Sequence, residues 1–155
     1  MRGADTGCML MFNGVICNFR ALRGELAKLG RRFASSGDTE VILKAYAQWG
    51  EDCVRRLDGM FVFALWDPRR QSLLLARDRF GMKPLYLAQD GTRLRFASSL
   101  PALLAAGGVV TVIDPIAQHH LFSLHAVVPA PRTILRGVRK LEPAHTLRVD
   151  PSGMR

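Results

Sequence analysis

Three short stretches of this chain carry side chains that could form a site. Asn13-Gly14 follows an apolar run. A side-chain amide beside a glycine N–H can act as an oxyanion hole, both donors aimed at a developing alkoxide. The same dipeptide is also a common tight turn at a strand end. Asp38, followed by Thr39 and Glu40, opens a helical pattern. Its carboxylate can bind an ammonium group or simply cap the helix. Asp78-Arg79-Phe80-Gly81-Met82-Lys83-Pro84 reads as a polar loop between strands, a Gly/Pro turn held by a local Asp–Arg pair. Other reactive types are dispersed. Cys8, Cys17 and Cys53 lack metal-ligand spacing. His119, His120, His125 and His145 read as ordinary helix and surface residues. No Ser/His/Asp constellation and no P-loop phosphate motif is present.

The elements that must hold these residues alternate in period. Cys8 to Phe12 reads as a short strand running into Asn13-Gly14. Asn18 is placed to cap a helix through Phe19, Leu22, Leu26 and Leu29, with Gly30 stopping it. Asp38 or Thr39 caps a second helix through Val41, Ile42, Ala45, Tyr46 and Trp49, ended by Gly50, and a short turn follows through Val54 and Leu57. Met60 to Trp66 is nearly all apolar, as in a strand covered on both faces. With the turn at Asp67–Arg70 and the strand Ser72 to Ala76 it makes a hairpin. Leu85 to Ala88 and Leu94 to Ala97 form another pair about Gln89-Asp90-Gly91. A short helix over Leu100 to Ala106 ends at Gly107-Gly108. Asp114 caps a helix through Ile116, His120 and Leu121 with Pro115 in its first turn. Thr146 to Val149 is a last strand. Helices followed by antiparallel hairpins indicate an α+β domain.

Composition agrees with a single globular domain: 155 residues, 48% apolar and 23% charged. Of 22 basic residues only Lys28, Lys44, Lys83 and Lys140 are lysines, and 13 acidic residues leave a formal charge of +9. The arginines come in scattered pairs (Arg31-Arg32, Arg55-Arg56, Arg69-Arg70) rather than one tract. This argues against nucleic acid as the partner, although a basic nucleic-acid-binding domain stays an alternative. No apolar run is long enough for a membrane span, and no secretory leader is recognisable. Three dispersed cysteines fit a reducing, cytoplasmic setting.

Five blocks in order resemble the glutaminase domain of asparagine synthetases, the class II glutamine amidotransferases. They are Phe12-Asn13-Gly14-Val15-Ile16-Cys17-Asn18-Phe19, Gly37-Asp38-Thr39-Glu40-Val41, Asp58 to Asp67, Ala76 to Tyr86, and Pro129 to Leu141. The likeness spans about residues 9–149, with a linker toward a synthetase domain near residues 129–155. Ser98 to Leu104 and His125 to Pro131 are most similar to the N-acetylglutaminylglutamine amidotransferase branch. The resemblance implies an N-terminal-nucleophile hydrolase-type αββα sandwich of antiparallel sheets, incomplete at the N-terminus. It also implies glutamine as substrate, with Asn13 and Gly14 as the oxyanion hole and Asp38 holding the glutamine amino group. In the family an N-terminal Cys attacks the amide with its own α-amine as base, and the ammonia passes to an ATP-dependent synthetase domain.

Departures from the pattern set further expectations. Arg2 stands where a nucleophilic Cys would follow Met1, and none of Cys8, Cys17 or Cys53 can replace it. Val15 stands where Glu is common and cannot bind an ammonium group. The chain is therefore expected to be a partial domain, inactive alone as a glutaminase. ATP and Mg belong to an absent synthetase domain, so no cofactor is expected here. The alternative is a degenerate module that packs on a separate synthetase subunit. The incomplete sandwich is expected to uncover apolar faces such as Met60 to Trp66, leave strand edges unpaired, and make the isolated chain poorly soluble or dependent on a partner.

Overall fold

A computed structural model describes all 155 residues. Strand β1 (Met9–Ile16) leads into helices α1 (Phe19–Lys28) and α2 (Asp38–Trp49) and a 3-10 turn over Gly50–Arg56. Strands β2 (Gly59–Asp67), β3 (Ser72–Arg77), β4 (Tyr86–Asp90) and β5 (Arg93–Ala97) follow. The chain closes with helices α3 (Leu100–Ala105) and α4 (Pro115–Ser123) and strands β6 (Arg139–Lys140), β7 (Thr146–Asp150) and β8 (Gly153–Met154). One antiparallel sheet runs β1-β2-β3-β7-β8, the other β5-β4-β6.

The two periods in the sequence account for the layers. On α1 and α2, Leu22, Leu26, Val41, Ile42 and Tyr46 fall on one stripe and pack over Leu10, Ile16, Phe61, Phe63 and Leu65. The alternate β2 residues, Val62 and Ala64, join Leu75 and meet Leu85 and Leu141, which flank strands β4 and β6 of the second sheet. Leu103 of α3 packs with Ala88 and Val138 outside that sheet. The order helix, sheet, sheet, helix is the αββα sandwich expected. β2 is covered on both faces, which is why its run is almost uniformly apolar. Met60 to Trp66 is therefore not the uncovered surface; only Met60 in it is exposed. The open apolar face lies next door on β1, where Met9, Met11 and Val15 are exposed, Met11 by 62%.

Three local expectations, for Asn18, Asp38 and Asp78, differ from the structure. Asp114 does cap α4, accepting from the Ile116 and Ala117 N–H groups. Asn18 makes no capping bond. Its amide instead donates to the Arg56 carbonyl at 2.8 Å and accepts from the Asp58 N–H at 3.1 Å. Gly37 occupies the cap position of α2, so Asp38 is the first helical residue. In the loop after β3, Asp78 pairs with no arginine. It is 1% exposed. Its carboxylate accepts the N–H groups of Phe80 and Met82 at 3.0 Å, Lys83 at 3.1 Å and Phe61 at 3.2 Å. Its own N–H donates to the Phe61 carbonyl at 2.9 Å. The neighbouring Arg77 guanidinium donates to the Lys83, Leu141 and Gly81 carbonyls, and Arg79 pairs with Asp58 at 2.9 Å. Burial alone would raise the Asp78 pKa, but the four N–H donors outweigh it and hold the carboxyl below its ordinary range.

β1 and β2 approach closely at two glycines. A Cβ on Gly14 (φ +150°) would lie 2.1 Å from the Met60 carbonyl oxygen, and one on Gly59 (φ +157°) the same distance from that of Val15.

Removing the Asp78 carboxylate orphans buried N–H groups, so Asp78→Ala is expected to lower stability by about 3 kcal/mol or more at neutral pH. The folded-state pKa lies below the unfolded one, so this stabilisation is complete above the ordinary Asp range and fades as pH falls through the lowered value. Urea unfolding at pH 7 and at about pH 3 should show the gap between wild type and variant shrinking in acid; an unchanged gap contradicts the assignment. Gly14→Ala is expected to destabilise by about 2–4 kcal/mol by forcing the strands apart. Gly24→Ala in α1, where a Cβ meets nothing within 4 Å, should stabilise by about 0.5–1 kcal/mol. Equal effects of the two changes would contradict the close approach.

Candidate functional site at the open edge of β1

Asn13 and Gly14 do not sit at a strand end. They lie inside β1, opposite Val62 and Phe61, and β1 is the edge strand of its sheet. Both backbone polar groups of Phe61 are taken by Asp78. Gly14 and Phe61 are therefore a non-hydrogen-bonded pair, and the Gly14 N–H and C=O point away from β2. Alternation turns Leu10, Phe12 and Ile16 the same way. The two ends of this edge are occupied. Leu10 donates to the Met1 carbonyl at 2.8 Å and accepts from the Met1 α-amino group at 2.7 Å. The Ile16 N–H donates to Asp38 Oδ2 at 3.0 Å. Between them, the backbone groups of Phe12 and Gly14 form an open window.

The Asn13 side chain is exposed on the strand face that looks toward the second sheet. It lines a cleft of about 250 Å³ with Met11, Leu85, Phe96 and Ser98. Asp38 approaches the same edge from the N-terminal end of α2, where the helix field favours a carboxylate. The structure thus brings Asp38 of α2 to the strand edge that carries the adjacent Asn13 and Gly14.

Two supports were not visible in the sequence. Glu40 is buried and accepts from the Ala34 N–H at 2.9 Å, the Ser35 N–H at 2.6 Å and the Ser35 hydroxyl at 2.7 Å. Burial raises its pKa, but these bonds and Lys44 outweigh burial and leave it lowered. Glu40 so fixes the turn that presents Asp38. Asn18, Asp58 and Arg79 clamp the end of β1 to the start of β2 and to the Asp78 loop. Their separation of about 20 to 40 residues gives no local signal.

The cysteines lie elsewhere. Cys8 and Cys53 are buried in the core and Cys17 is exposed just beyond β1. Burial, with Asp52 and Glu51 nearby, pushes the Cys53 thiol up to about 12, so it stays protonated. No three His, Cys, Asp or Glu side chains converge as metal ligands. No helix is long and apolar enough to cross a membrane.

A family model described as a glutamine amidotransferase domain matches residues 1–155. The chain is 36% identical over 145 residues to the glutamine-hydrolyzing asparagine synthetase 3 of Bacillus subtilis, covering 94% of this chain and 24% of that protein. It is 35% identical over 149 residues to asparagine synthetase 1 of the same organism, covering 96% and 23%. The chain thus spans about a quarter of the length of these relatives. Among solved structures, the glutamine phosphoribosylpyrophosphate amidotransferase of B. subtilis superposes with a TM-score of 0.66 at 20% identity, covering all of this chain and 30% of that one. A class-II glutamine aminotransferase domain protein of Silicibacter pomeroyi gives 0.55 at 17% identity, covering 96% and 66%. These two likenesses are of fold. The match over the whole chain shows that the protein belongs to the glutamine amidotransferase domain family.

Proposed function

We propose that this domain binds glutamine at the open window of β1 and stabilises the oxyanion formed when its side-chain amide is attacked. The released ammonia then goes to an ATP-dependent amide-forming partner. The observation that carries the reading is the free, outward Gly14 N–H beside the unpartnered Asn13 amide. Its spacing from Asp38 supports glutamine in particular. The Gly14 and Ile16 N–H groups lie two residues apart on one edge, about 7 Å, and Asp38 sits on the second. The four bonds from the amide carbon of glutamine to its α-nitrogen span about 5 Å extended. With the carbonyl oxygen on Gly14 and Asn13, the ammonium can therefore reach the Asp38 carboxylate. Val15 projects from the same strand but offers no charge to it. None of the three cysteines lines this edge, so the reading assigns to these residues the oxyanion and ammonium contacts and not the nucleophile. The likeness of Ser98–Leu104 and His125–Pro131 supports an acceptor of the N-acetylglutaminylglutamine type.

The test uses the protein as its host makes it, with ammonia release from glutamine as the readout. Asn13→Ala is expected to lower kcat by about 10²–10³-fold with KM changed by less than about threefold. Asp38→Asn is expected to raise KM chiefly. Activity with free ammonia should survive both changes. An Asn13→Ala protein with unchanged kcat contradicts the oxyanion assignment.

A further inference from the structure

The first sheet has β1 at one edge and β8 at the other. Beside β7 and β8, away from the glutamine window, the two sheets part around a cleft of about 400 Å³. Apolar side chains line both walls. Leu147 of β7 and Met154 of β8 stand on one side, Leu87 of β4 and Leu94 of β5 on the other. Cavities of this size that combine apolar walls with a few converging polar groups ordinarily seat small molecules.

The polar groups here are mostly cations. Arg139 of β6 is directly opposite Leu87 in the strand register, so both side chains rise from one face of the second sheet. Leu87 packs against the core between the sheets, so that face is the inward one. Arg136, three residues earlier, lines the same cleft. Neither guanidinium pairs with a carboxylate. Lys140 adds a third positive charge, its ammonium held by the Val128 carbonyl. Glu142 is the one carboxylate on the lining, and it too makes no ion pair. Positive charge is therefore left uncompensated beside an apolar floor. A guanidinium meets a carboxylate with two parallel N–H bonds, the strongest pairing open to it.

We propose that this inter-sheet cleft binds a small free organic acid with an apolar body, its carboxylate held by Arg136 and Arg139 and its body laid on Leu87, Leu94 and Leu147. The acid completes the ion pairs that the chain leaves open and covers the apolar walls in one step. The cleft shares no residue with the window on β1, so the proposal stands or falls apart from glutamine hydrolysis.

The test is isothermal titration calorimetry on the protein as its host makes it. Octanoate is the probe, with octan-1-ol, octylammonium and inorganic phosphate as comparisons. One octanoate per domain is expected, bound about tenfold or more tighter than any of the three. Butanoate, with a shorter apolar body, should bind about tenfold or more weaker than octanoate. Changing Arg136→Gln and Arg139→Gln together should weaken octanoate about tenfold or more and leave octan-1-ol unchanged. Both side chains are exposed, so the melting temperature should hold. Gln89→Glu is a second, nearly isosteric variant on the exposed part of the lining. It places a carboxylate beside the ligand's and should weaken octanoate about fivefold. Phosphate bound as tightly as octanoate makes the site a bare anion patch. Octan-1-ol or octylammonium bound as tightly makes it a bare apolar cleft. Octanoate binding that is absent, or unmoved by these variants, leaves Arg139 as a charge that merely blunts the edge strand β6. Each of these results overturns the proposal.

Discussion

Much of this domain is organised by one buried carboxylate. Asp78 takes the N–H of Phe61 on its side chain and gives its own N–H to the Phe61 carbonyl. The same carboxylate gathers the N–H groups of Phe80, Met82 and Lys83 into the loop that leads away from the first sheet. A buried carboxylate is tolerable only with such a full set of donors. Arg77 meets the complementary need, satisfying three carbonyls at the other side of that loop. Because Phe61 is fully engaged on its β3 side, it offers nothing to Gly14 across the pair. The free N–H at the candidate site is thus a consequence of satisfaction elsewhere, two strands into the sheet.

An edge strand is ordinarily a hazard, since unpaired backbone invites another chain. β1 is blunted at both ends, by the Met1 backbone at Leu10 and by Asp38 at Ile16. Only the part that bears Asn13 and Gly14 is left open. The exposed Met9, Met11 and Val15 lie on the same face as Asn13, so the chemistry and the uncovered apolar surface share one strand. The close approach of β1 to β2 at Gly14 also explains the residue type. A side chain there would strike the Met60 carbonyl, so the donor at this position has to be a glycine's.

Most elements were legible because periodicity reports burial. The helices through Leu22 and Leu26 and through Val41 and Tyr46, the doubly covered run at Phe61–Leu65, and the Asp114 cap all emerge from local pattern. Asn13, Gly14 and Asp38 were legible as a set through the family resemblance, while their local reading was ambiguous. What failed were the inferences that confined Asn18, Asp38 and Asp78 to their own turn or cap. Asn18, Asp38 and Asp78 could each have satisfied a turn or cap close by. Each reaches a group 17 to 40 residues away, Asp78 while still closing its own turn, because the fold brings a backbone N–H there. Asn-Gly likewise need not mark a turn: at Gly14 both a φ of +150° and the close approach of β2 require the glycine inside a strand.

The central claim is that the Gly14 N–H is turned out of the β1–β2 ladder and left free. Residue-resolved amide hydrogen exchange on the 155-residue chain tests it most directly. The ladder predicts that the Met11, Asn13 and Val15 amides, bonded to β2, exchange orders of magnitude more slowly than open amides, while Phe12 and Gly14 exchange close to the open rate. A Gly14 amide as protected as that of Asn13 would mean that the donor is already spent, and would contradict the account.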